Sequence, residues 1–124
     1  MPGADLRPPL VGVLLFDGVE VLDLAGPYEV CSGTVDEDGA PYTRVVTVGT
    51  AATVRCRGGL RVQPDHALAD CAPLDALIVP GGPSADERTP DQDRTILPFL
   101  TGRATPRCAR PAGTLVVAGQ VRRR

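Results

Sequence analysis

Leu10-Val11-Gly12-Val13-Leu14-Leu15-Phe16, closed by Asp17-Gly18, is the segment from which the architecture can be read. It is an uninterrupted apolar run with no polar face, too short for a buried helix. A strand covered on both sides, at the centre of a parallel sheet, is the element that needs such a sequence. Asp17-Gly18 then supplies a turn, because glycine takes positive φ without steric cost. Beyond it, Val19, Val21, Leu22 and Leu24 lead to Gly26-Pro27. Pro27 at a first helical position predicts a helix through Glu29, Val30 and Cys31 to Gly33.

Further along, residues 36–41 read as a loop and 42–48 as a second strand. Residues 54–62 read as a hairpin at the sheet edge, turning at Gly58-Gly59. Residues 65–73 suggest a short helical or irregular link, and 74–79 a third buried strand that stops at Pro80-Gly81-Gly82. Residues 84–89 are polar loop. Residues 90–103 predict a helix with Ile96, Leu97, Phe99 and Leu100 on one side and Pro98 as an internal defect, and 114–118 a fourth strand. This order belongs to an open α/β sheet, whose ligands bind beyond the carboxyl ends of the strands. The candidate site loops are therefore 17–27 and 80–84.

Composition narrows the function classes. The 124 residues are 43% apolar and 23% charged, within the range of a single globular domain. Aromatics make up 3% and Trp is absent, which suits an aliphatic sheet and not a base-stacking platform. Asp17 interrupts the longest apolar run, far below the roughly 20 residues that span a bilayer. Residues 1–9, with Asp5 and two consecutive prolines, do not resemble a secretory signal, so a cytoplasmic location is expected. Cys31, Cys56, Cys71 and Cys108 match neither paired zinc spacing nor a disulfide framework, and free thiols are expected. His66 is the only imidazole, so no His-based metal cluster can form within the chain; it reads as a surface loop residue. Residues 1–102 carry all 15 acidic groups and 7 arginines, whereas 103–124 carry 6 arginines and no acid. Such a tail is either a solvated basic segment or a weak, non-specific phosphate binder.

Two blocks carry a family resemblance. The first runs from Gly12 to Val30 and contains Leu22-Asp23-Leu24-Ala25-Gly26-Pro27; the second, from Asp70 to Gly82, ends Leu77-Ile78-Val79-Pro80-Gly81-Gly82. Together, across about residues 10–102, they resemble the ThiJ/PfpI superfamily. The similarity is to the branch holding isonitrile hydratases and the amidotransferase-like N-terminal domains of AraC-type transcription regulators. The resemblance implies a flavodoxin-like three-layer α/β sandwich with a parallel sheet, present as its N-terminal half to two-thirds. It implies that Asp23 is the carboxyl group that hydrogen-bonds a reactive cysteine, and that Gly81 and Gly82 line an oxyanion or substrate pocket through their amides. Without the resemblance, Asp23 reads equally as a helix cap and Gly81-Gly82 as a turn. Gly26 and Pro27 match the motif as shape-setting residues. No cofactor and no metal are implied; the expected partners are a small molecule and a second copy of the chain, with neither a membrane nor specific nucleic acid.

The sequence departs from that pattern after about residue 103. The nucleophile of such proteins stands at a strand-to-helix turn some thirty residues beyond the Pro-Gly-Gly loop. Counting from Gly82 leads to Pro111, with Gly113 to Val117 echoing the segment that normally succeeds the cysteine and the preceding strand missing. Cys108 lies about three positions early, and Pro111 obstructs the turn that would present it. The expectation is a partial domain over 1–102 and an atypical arginine-rich segment over 103–124, frameshifted or truncated, with hydratase or amidase chemistry absent or very low; the alternative that the resemblance implies is a non-catalytic small-molecule-sensing or dimerisation module like the N-terminal domain of AraC-type regulators.

Overall fold

A computed structural model describes residues 7–70, 73–82 and 115–118, the last four by backbone alone. Its centre is β1 (Leu10–Leu15), all six residues of which are buried. The α-helix α1 (Val21–Gly33) follows, then β2 (Arg44–Gly49), a hairpin of β3 (Val54–Arg55) and β4 (Arg61–Val62), β5 (His66–Ala67), β6 (Ala76–Val79) and β7 (Leu115–Ala118). Five strands form one parallel sheet in the order β5-β2-β1-β6-β7. This is the open α/β architecture expected from the order of elements, of the flavodoxin-like type that the family resemblance implies. Helix α1 lies against β1 and β2 and buries Leu24. Val13, Leu14, Leu15, Val19, Val48, Val54 and Leu77 are fully enclosed, each contributing roughly 1.5–3 kcal/mol of apolar burial. Among the described residues, no helix is long and apolar enough to cross a membrane.

Two aspartates set strand register by imitating backbone. Asp75, just before β6, accepts the Leu10 amide on Oδ2 at 2.7 Å and donates its own amide to the Leu10 carbonyl at 2.8 Å. Asp65, before β5, accepts the Thr47 amide and donates to Thr47 Oγ1, both at 2.8 Å. Each extends a ladder by one unit where the strand proper has not begun. The link expected at 65–73 therefore opens with a short edge strand, and the exposed His66 sits in it, paired beside Val48.

Two other expectations need correction, and a third is met. Helix α1 starts at Val21, so Pro27 is inside it and not at its first position. The entry is fixed from outside: the Arg57 amide donates to the Val19 carbonyl at 3.0 Å and the Glu20 amide to the Gly81 carbonyl at 2.8 Å. Proline there removes only the donor that would have met the Asp23 carbonyl, and Gly26 before it has no Cβ for the proline ring to strike. Secondly, the hairpin turns where expected, with Gly58 and Gly59 at φ 84° and 101°, but it is a separate two-stranded sheet and not an edge of the main one. Thirdly, residues 115–118 form β7, parallel to β6 with Val79 beside Ala118. The fourth strand expected at 114–118 is therefore present beside β6, whereas Pro111 and the segment before it lie outside the described residues. The expected polar loop at 84–89 and helix at 90–103 lie outside the described residues, as do Cys71 and Cys108.

Candidate functional site

The sheet order reverses direction at β1: the chain passes from β1 to β2 on one side and later returns to β6 on the other. In a parallel sheet such a switch point leaves a crevice at the carboxyl ends of the two central strands, where neither connection covers it. The residues that emerge there are Phe16 to Glu20 after β1 and Pro80 to Gly82 after β6. The two loops are joined directly by the bond from the Glu20 amide to the Gly81 carbonyl. Phe16-Asp17-Gly18-Val19 is a tight turn closed by the Val19 amide on the Phe16 carbonyl at 3.0 Å, with Gly18 at φ 88°.

Gly82 packs on this turn. A Cβ at 82 would stand 2.5 Å from Cε2 and 2.8 Å from Cζ of Phe16, whose ring is buried, and 3.4 Å from the Gly18 carbonyl oxygen. Absence of a side chain at 82 is thus a packing requirement in its own right. Gly81 contributes its carbonyl to the loop junction, and both glycines are half-buried.

Asp23 lies in the first turn of α1, exposed, three residues after Glu20. With Glu20 as N-cap it holds the third helical position, from which an acidic side chain often folds back onto the N-cap amide. That amide is already bound to Gly81, and no side-chain cap bond forms. Among the described residues, the Asp23 carboxylate carries no hydrogen bond or ion pair. The helix-cap reading of Asp23 is not what the geometry shows. Its negative charge is at the electropositive end of the helix, a favourable place for it.

The two carboxylates of the loop that precedes α1 are engaged. Asp17 Oδ1 accepts the Arg55 amide at 2.9 Å, and Glu20 Oε1 meets Arg57 Nη1 at 2.9 Å. Sequence reading missed this contribution of the hairpin, because the partners lie 37 and 38 residues apart and neither Arg55 nor Arg57 has a local signature. Of the thiols described, Cys31 is half-buried near the C-terminal end of α1, and Cys56 is enclosed in the core, where burial pushes its pKa above the ordinary value. Among the described residues, no cluster of His, Cys, Asp and Glu could hold a metal ion.

Known proteins resemble this chain in sequence and fold. The DJ-1/PfpI family pattern matches residues 10–104. Isonitrile hydratase from Pseudomonas putida is 35% identical over 94 residues, which are 76% of this chain and 38% of that enzyme. A thiJ/pfpI family protein from Bacillus anthracis superposes with a TM-score of 0.66 at 27% identity, covering 92% of this chain and 51% of that one. An AraC family transcriptional regulator from Pseudomonas putida shares the fold with a TM-score of 0.54 at 17% identity, over 89% of this chain and 81% of its own. The chain spans 38% of the hydratase and about half of the Bacillus anthracis protein.

Proposed function

Because the chain belongs to the DJ-1/PfpI family, we propose that it binds a small carbon–nitrogen compound of the isonitrile or amide class at the β1–β6 switch point without turning it over. The observation that carries this reading is the Glu20–Gly81 bond, which joins the loop leading to Asp23 and the glycine loop on one rim. Hydration of an isonitrile adds water across the terminal carbon to give an N-substituted formamide. It needs a nucleophile at carbon, a group that delivers and recovers a proton, and donors that steady developing charge. Asp23 is suited to the proton and the Gly81-Gly82 amides to the charge. Among the described residues, no thiol stands at this rim. Cys31 and Cys56 do not emerge at the switch point, and β7 is followed by Gly119-Gln120-Val121, which holds no thiol.

The test is paired. Purified protein is titrated with cyclohexyl isocyanide by calorimetry and assayed for formamide release. Saturable binding weakened by Asp23→Ala, with release at the uncatalysed rate, is the expected result. Turnover that Cys108→Ala abolishes would overturn it. A second reading, a dimerising module, is favoured by the exposure of Leu22 (80%) and Val30 (67%) on α1, and sedimentation of the wild type against Leu22→Glu separates the two.

A further inference from the structure

We infer that the β3–β4 hairpin is a strap that positions the β1–α1 loop, with Asp17 as the positioning residue; for function, this rests on reading that rim as the ligand site. The hairpin alternates strictly: Val54 and Cys56 point into the core, while Arg55 and Arg57 are exposed. Two glycines at positive φ close its turn, and the Cys56 amide bonds the Leu60 carbonyl at 2.7 Å. Among the described residues, both backbone hydrogen bonds that it makes outside itself go to one place. Gly18 donates to the Arg55 carbonyl at 2.8 Å, and Arg57 donates to the Val19 carbonyl at 3.0 Å. Two side-chain bonds reinforce them, Asp17 Oδ1 on the Arg55 amide and Arg57 on Glu20. Residues 17–20 are therefore each tied to the hairpin, and Glu20 passes the constraint to Gly81 through its amide.

The exposed Arg57–Glu20 pair adds little, since such pairs are screened by water. The bond from the Arg55 amide to Asp17 is exposed as well, and its weight is geometric: it ties the first residue after Phe16 to the hairpin, alongside the two backbone bonds. The strap turns an isolated turn of four residues into part of a core-anchored unit, so the start of α1, and Asp23 with it, is placed by a segment distant in sequence.

Amide hydrogen exchange on the full chain tests this. Asp17→Ala should speed exchange of Gly18, Glu20, Arg55 and Arg57 by roughly tenfold or more, as expected for loss of a bond to a backbone donor. Val46 and Val48 of β2 should stay as protected as in the wild type. Asp17→Asn, which keeps an acceptor oxygen, should restore the slow exchange, and cyclohexyl isocyanide affinity should fall and recover in parallel. Acceleration confined to Arg55, or no rescue by Asp17→Asn, would overturn the proposal. If Asp17→Ala does not fold, the wild type decides: under low denaturant the four amides should open as one cooperative unit, and four unrelated opening energies would refute the strap. Absence of isocyanide binding in the wild type would defeat the proposed function alone, since the exchange pattern needs no ligand.

Discussion

Gly82→Ala is the sharpest perturbation of the switch-point rim. The added Cβ falls 2.5 Å and 2.8 Å from two ring carbons of Phe16, against about 3.5–4.0 Å for comfortable carbon contact, so something must move by about 1 Å. Phe16 is only 5% exposed and its ring lies in the core cluster, so it has no open space to enter. Overpacking of this kind costs about 1–3 kcal/mol. Alanine also restricts the unfolded chain, which returns about 0.4–1 kcal/mol, because position 82 is not in the left-handed region. The expected net loss is about 1–2 kcal/mol, or about 3–5 °C in Tm per kcal/mol for a domain of this size. Urea unfolding of the single variants and of Phe16→Leu/Gly82→Ala completes a cycle, since leucine withdraws the ring carbons that alanine strikes. The double variant should be more stable than the sum of the single effects by about 1 kcal/mol. Strict additivity, or a Gly82→Ala protein as stable as the wild type, would refute the contact between the two loops.

Two further outcomes are set by local chemistry. Apart from its chain neighbours and the backbone of its own helix, Gly26 has nothing within 4 Å of a Cβ, so Gly26→Ala should stabilise α1 by about 1 kcal/mol in a Pro27→Ala background. Beside the native Pro27 the gain should be measurably smaller, because the proline ring meets that Cβ; equal gains in the two backgrounds by thermal unfolding would contradict this. Burial raises the Cys56 pKa above 9.0, with the charge of Asp17 adding to the rise. The unfolded thiol therefore ionises first, and stability falls as pH climbs from about 9 through the folded pKa, having been fully present below that window. Cys56→Ala should flatten this limb of the pH–stability curve relative to wild type, and an unchanged slope would exclude the thiol as its source.

The parts of this fold that were legible in the sequence are those whose cause is local. The run at 10–16 has no polar face, so it could only be a doubly covered strand, and β1 is buried throughout. Gly58-Gly59 announced a turn because no other pair takes two positive φ values as easily, and the hairpin turns there. The illegible parts have distant causes. Pro27 is a strong local signal for a helix start, yet the helix begins at Val21 because Arg57 and Gly81 hold its entry. His66–Ala67 has no strand pattern, and becomes one because Asp65 grips Thr47 and sets the register.

Asp23 shows how the two kinds of cause combine. Its position in the chain, three residues after an N-cap, would let its carboxylate fold back and satisfy the Glu20 amide, leaving an ordinary capped helix. The glycine loop after β6 takes that amide first. What leaves the carboxylate without a partner among the described residues is therefore a long-range backbone bond and not the residue's own surroundings. A protein in which Gly81 were displaced should lose this availability without any change at position 23, as Asp23 turned inward to cap its helix.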